Sequence, residues 1–169
     1  MLKIINSLSP FFEDNYKRIN VREYARIKSQ SPPSASKHLD QFRKELLLKK
    51  EQNGQFIYYF ANKESSLFVD LSRIYWKSEL EKAGFFKLLE EYVNPLAILF
   101  GSLSKSEVKP DSDVDIAIFS ATNKAIQLES VEKRLKRKIQ LFAFKSPEDV
   151  ANKELLKNIM NGYVLVGGW

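Results

Sequence analysis

The stretch that most restricts what this chain can fold into runs from Leu99 to Phe119. An apolar run ends in Gly101-Ser102, ten residues follow, and Asp113-Val114-Asp115 then opens a second apolar run, Ile116-Ala117-Ile118-Phe119. A strand ending in Gly-Ser lets the backbone approach an anion closely, and the amides that open a following short helix point to the same place. That is a phosphate seat. Asp113 and Asp115 stand two apart at the start of a strand, so strand periodicity puts both carboxylates on one face while Val114 and Ile116 face the core. Two adjacent carboxylates repel unless a cation or donors compensate them, and oxygen-only ligands suit Mg²⁺ with a triphosphate completing its shell. The alternative is a helix-capping Ser102 and a pair of turn aspartates in an unrelated α/β domain.

The surroundings of this stretch are short apolar runs separated by helical segments. Strands are expected at Leu96 to Phe100, Val114 to Phe119, Ile139 to Phe144 and Tyr163 to Val166, with helices at Lys124 to Arg137 and Pro147 to Met160. The pattern predicts a small central sheet in an α/β or α+β domain.

Gly-Ser, ten residues and Asp-x-Asp between apolar strands resemble the signature of the polymerase β nucleotidyltransferase superfamily, over roughly residues 93 to 169. The minimal nucleotidyltransferases are similar in size. The resemblance implies a polymerase β-type domain with a small mixed sheet. It further implies that Gly101 and Ser102 contact the β and γ phosphates of ATP or another NTP, and that Asp113 and Asp115 hold Mg²⁺ or Mn²⁺. An acceptor hydroxyl would attack the α phosphorus and pyrophosphate would leave, a reaction that a two-metal clamp assists. Lys105 either adds positive charge to the phosphates or is a solvated loop residue. The sequence also departs from the family. Where a later strand usually supplies a third carboxylate stands Gln140, which brings no charge and cannot act as a base. Ser106 replaces a frequent glycine.

The N-terminal third reads differently. A short helix over Leu2 to Leu8 stops before Pro10, and Asn20 caps a second helix over 21 to 28. A third starts near Pro33, with Leu39, Phe42, Leu46 and Leu47 at helical spacing. Its other face carries Ser34, Lys37, His38, Gln41 and Lys44. The runs Leu46 to Lys50 and Gln55 to Ala61 flank Gln52-Asn53-Gly54, a strong hairpin signal. Three helices and a hairpin resemble a winged helix-turn-helix, which implies that Ser34, Lys37, His38 and Gln41 face DNA bases. The competing reading is a solvated basic helix in a protein-binding module. The expected organisation is therefore α+β: a winged helix-turn-helix over 1–66, connecting helices over 67–92 with a bend or a helix end at Gly84, and the nucleotidyltransferase domain over 93–169.

Charge and composition narrow the partners. The net charge of +6 is concentrated early, since residues 1–66 hold 12 Lys and Arg against 7 Asp and Glu, and the remainder 15 against 14. That bias suits a polyanion, as does the later run Lys133, Arg134, Lys136, Arg137 and Lys138, although a helix end with cations against its dipole accounts for that run equally well. There is no cysteine and one histidine, His38, which excludes disulfides and thiolate chemistry and argues against zinc. No apolar run is long enough to span a bilayer, so a cytoplasmic location and no membrane partner are expected. Two functions stay open. One is transfer of a nucleoside monophosphate, AMP above all, to a hydroxyl on a protein or small molecule; the other is a DNA-binding regulator whose nucleotidyltransferase domain is degenerate. A third role, as the partner of a separate toxin, follows from the minimal family alone.

Overall fold

The computed structural model describes residues 3–121 and 125–168. Met1, Leu2, residues 122–124 and Trp169 lie outside the described residues, and with them the expected openings of the first helix at Leu2 and of the helix at Lys124. The chain divides into two compact units: residues 1–75 with 106–110, and residues 76–105 with 111–169.

In the first unit the order is α1 (Lys3–Glu13), β1 (Ile19–Asn20), α2 (Val21–Ile27), α3 (Pro32–Lys44), β2 (Leu48–Asn53) and β3 (Phe56–Ala61). Helix α1 does not stop before Pro10 but contains it. An interior proline costs a helix about 3 kcal/mol, and here the continued turn buries Phe11 and Phe12 completely, a gain of comparable size. Asn20 caps α2 as expected, its Oδ1 accepting from the Glu23 amide at 2.9 Å. Ser31 caps α3, whose first residues are Pro32 and Pro33. Leu46, expected on the buried face of α3, lies beyond it with φ of 59° and is two-thirds exposed, while Leu47 is fully buried.

The sheet order is β1-β3-β2. Asn53 pairs with Phe56, so the turn is Gly54-Gln55, one residue later than the Asn53-Gly54 turn expected. Gly54 has φ of 61°, which fits a hairpin turn with glycine at its first central position. The two-residue strand β1 was too short to show any periodicity in the sequence.

Helix α4 (Ser66–Ala83) passes from the first unit into the second, and Gly84, with φ of 91°, ends it. Only the four-residue α5 (Phe85–Leu88) follows. The second unit continues with β4 (Leu96–Phe100), α6 (Gly101–Lys105), β5 (Val114–Phe119), α7 (Glu129–Leu135), β6 (Ile139–Phe144), α8 (Lys153–Met160) and β7 (Tyr163–Val166). The helix expected from Pro147 starts only at Lys153, after a 3₁₀ turn at Pro147–Asp149, because Asn152 caps α8 through the amides of Glu154 and Leu155. The strands form a mixed sheet in the order β6-β5-β4-β7, with β5 and β6 parallel and the other pairs antiparallel.

One face of this sheet is a hydrophobic core. Leu96, Ile98 and Phe100 of β4 and Ala117 and Phe119 of β5 pack with Val150 and with Ile159 of α8, and Phe142 and Phe144 of β6 close over them. No helix among the described residues is long and apolar enough to cross a membrane.

Candidate active site

Cross-strand pairing puts the chemistry in one row of the sheet. Phe100 pairs with Asp115, and Asp115 with Gln140. The next rows on that face are Ile98, Ala117 and Phe142, then Leu96, Phe119 and Phe144, which belong to the core. Period-two alternation therefore carries Asp115 and Gln140 on the same face as the core, at the end of the strands where the apolar side chains stop. Val114 and Ile116, on the other face, are buried.

Gly101 follows β4 with φ of 67° and opens α6. A Cβ at this position would collide with Oδ2 of Asp115 and stand 2.9 Å from its Cγ. The glycine is required twice, by its backbone conformation and by the carboxylate packed against it. Ser102 is half-buried beside it. The Ser104 hydroxyl donates to the Gly101 carbonyl at 2.9 Å, which fixes the turn from within.

Burial, and then the neighbouring Asp113 charge, push the Asp115 carboxyl above the ordinary carboxylate range. Both causes penalise the ionised form, and a cation between the two carboxylates would relieve both. Gln140 stands where the third acid was expected, and its Nε2 donates to Asp113 Oδ2 at 3.0 Å. Among the described residues no group of three or more His, Cys, Asp or Glu gathers into a cation site; the acidic set is a pair with an amide beside it. Arg137 donates to the carbonyl of Ser112, the residue before Asp113, at 2.7 Å and lies over the Trp76 ring at 5.0 Å. Neither Arg137 in this role nor Trp76 was legible in the sequence, because both act through tertiary contacts.

Lys105 is exposed and donates to Asn158 Oδ1 of α8 at 3.2 Å. Of the basic run, Lys138 pairs with Glu132 at 3.2 Å. Glu107 and Asp111 are exposed.

The residues singled out for nucleic acid lie on α3 of the first unit. Lys37 is exposed. Ser34 is exposed but its hydroxyl accepts from Ser31 at 2.9 Å, and Gln41 donates to Glu45 at 2.9 Å. His38 is half-buried, its ring against Phe42, and its Nδ1 is buried with no hydrogen-bond partner among the described residues.

Residues 86–167 match the family Polymerase beta, Nucleotidyltransferase. This supports a nucleotidyltransferase fold for that part of the chain. No curated protein matches the chain.

Proposed function

We propose that the C-terminal domain binds a nucleoside triphosphate together with a divalent cation and transfers a nucleoside monophosphate, AMP from ATP, to a hydroxyl on a protein or small molecule. The observation that carries this reading is the packing of Gly101 against the Asp115 carboxylate, which brings the phosphate turn and the acidic pair to one point. The residues fit Mg²⁺ or Mn²⁺: two carboxylates, one of them short of compensating charge, with a third oxygen-bearing side chain in the same row. Asp113 and Asp115 would hold the ion, which supplies charge neutralisation at the phosphates when bound. Gly101 and Ser102 present backbone amides to the β and γ phosphates, and the absent Cβ leaves room for the Asp115 carboxylate beside them. Gln140 orients Asp113 through its amide but has no basic oxygen for the acceptor proton.

Thermal unfolding of the full chain with and without ATP and Mg²⁺ tests the site. Saturating ligand at a hundred times Kd stabilises by about 2.7 kcal/mol, and the Asp113→Asn, Asp115→Asn double variant removes the effect. A parent protein that ATP and Mg²⁺ leave unshifted rules the reading out. Transfer of label from α-labelled ATP to an acceptor then separates an enzyme from a binder.

The Gln140 to Asp113 hydrogen bond favours a second reading, a regulator in which nucleotide binds and turns over slowly or not at all. Gln140→Asp separates the two: it raises transfer in a weakened enzyme and leaves a pure binder silent. The helix, strand, two helices and hairpin of the first unit support a winged helix-turn-helix that docks DNA through Lys37 and its neighbours on α3. Such binding weakens steeply with salt and weakens further in Lys37→Ala. A protein partner, including a toxin, is the alternative occupant of that unit.

A further inference from the structure

The basic turn between α7 and β6 is a feature of the C-terminal unit that the proposed reaction leaves unused. Sheet order puts β5, with its acidic pair, between β4 and β6. The Gly101-Ser102 turn follows β4, and Lys136-Arg137-Lys138 leads into β6 on the other side of β5. Two bonds fasten that basic turn to the residues flanking Asp113: the Val114 N–H donates to the Lys138 carbonyl at 2.8 Å, and Arg137 donates to the Ser112 carbonyl at 2.7 Å. β6 is the edge strand, so no strand of the described residues lies beyond it.

Lys133, Lys136, Arg137 and Lys138, with Glu129 and Glu132, line a depression of about 380 Å³ at this edge. Arg137 is committed to Ser112 and Trp76. Lys138 is held by Glu132 only in an ion pair open to water on the lysine side, which an incoming carboxylate can replace at little cost. Lys133 and Lys136 are exposed and have no ion-pair partner among the described residues. The helix dipole accounts for Lys133 and Arg134 in the last turn of α7. It does not require a lysine at the C-cap, where Lys136 has φ of 56°, a left-handed position that glycine takes without strain. A strained lysine that pairs with nothing inside the chain is placed to serve a partner outside it.

The direction of the reaction says which partner. With the β and γ phosphates at Gly101 and Ser102, pyrophosphate leaves on the β4 side, and an attacking oxygen in line with the leaving one comes from the β6 side. We propose that the acceptor is a protein segment carrying Asp or Glu residues beside its hydroxyl, and that Lys133, Lys136 and Lys138 seat those carboxylates. The inference rests on the nucleotide reading proposed above. In the step so arranged the acceptor oxygen bonds to the α phosphorus, and the bond from that phosphorus to the oxygen bridging to the β phosphate breaks. Pyrophosphate takes the electron pair, and the acceptor proton passes to water because Gln140 cannot accept it. Single-stranded nucleic acid suits the surface less well. Its binding grooves combine cations with aromatic faces for stacking, and none of the large exposed apolar side chains belongs to residues 129–140.

The test uses the full chain and three fluorescent probes: a glutamate-rich peptide with one internal tyrosine and one internal serine, its glutamine counterpart, and an oligothymidylate of the same charge as the first. Binding is read by anisotropy without nucleotide. The glutamate peptide binds and the glutamine peptide does not. The Lys133→Gln, Lys136→Gln double variant holds the glutamate peptide about tenfold more weakly and keeps the parent's thermal shift with ATP and Mg²⁺. Lys136→Gly guards against misfolding: relief of the left-handed backbone keeps its melting temperature at or above the parent's, while its affinity for the glutamate peptide falls on the order of threefold. Lys153→Gln, at the exposed start of α8, keeps the parent's affinity. An equal loss there shows that net charge alone is at work and overturns the proposal, as does equal binding of the two peptides or tighter capture of the oligothymidylate. Label from α-labelled ATP then passes to the glutamate peptide in preference to the glutamine one; equal labelling, or label on neither, overturns its role as acceptor. A parent that holds the glutamate peptide but shows no thermal shift with ATP and Mg²⁺ defeats the nucleotide reading and not the docking surface, so the two failures are told apart.

Discussion

Gly54 in the N-terminal hairpin and Gly101 at the candidate site have nearly the same backbone conformation, φ of 61° and 67°. Their surroundings differ. A Cβ on Gly54 meets nothing within 4 Å, whereas one on Gly101 runs into the Asp115 carboxylate. The first glycine serves only the turn, and the second also makes room for a functional group. Ser106, with φ of 55°, is a third left-handed position, occupied by a residue with a Cβ and a buried hydroxyl that has no hydrogen-bond partner among the described residues. These positions separate backbone strain from site geometry.

The largest effect is expected at Gly101→Ala. The new methyl displaces Asp115, so the thermal shift with ATP and Mg²⁺ disappears, and stability falls by more than the roughly 1–2 kcal/mol of a left-handed alanine alone. Gly54→Ala isolates that conformational cost, and urea unfolding should show a loss of about 1 kcal/mol with the response to nucleotide intact. If Gly54→Ala also abolished the nucleotide response, the contrast between the two glycines would be broken.

Ser106→Gly runs the other way. Relief of a left-handed backbone and of an unpaired hydroxyl should stabilise the chain by up to about 1 kcal/mol, less the entropy that glycine adds to the unfolded state.

Asp115→Asn gives the smallest effect, and one that depends on pH. Because the folded chain raises the Asp115 carboxyl above its ordinary range, the native state binds more protons than the unfolded state in the window between the two values. Parent stability therefore declines as pH rises through that window. Without metal, Asp115→Asn should melt on the order of 2 °C higher than the parent at about pH 7. The advantage should vanish near about pH 3, where both states of the parent are protonated. An equal advantage at both pH values would show that removal of a buried charge is not its cause.

Much of the C-terminal domain was legible because its signals are local. The β4, β5, β6 and β7 strands are apolar runs bounded by turns, and Asp113 and Asp115 needed only the period of two to share a face. The failures have a common cause. Pro10 opposes a helix locally, but the burial of Phe11 and Phe12 that overrides it comes from residues distant in sequence. Asn53 and Gly54 both favour turns, so the hairpin register was settled by which strand residues paired. Leu46 continued the apolar period of α3 after the helix had ended. Asn15 gave no signal, since its partner Val108 lies 93 residues away.

The sequence by itself determined the ingredients of the candidate site: a glycine where the chain must turn, two aspartates on one side of a strand, and an amide in place of a third acid. Backbone geometry and strand periodicity act over a few residues, which is why these could be read directly. Only the tertiary structure decided that Gly101 packs on Asp115, that Gln140 donates to Asp113, that Lys105 reaches Asn158, and that the loop before the aspartates belongs to the N-terminal unit. Each of those depends on side chains brought together by strand pairing and burial, and no local periodicity encodes such distances.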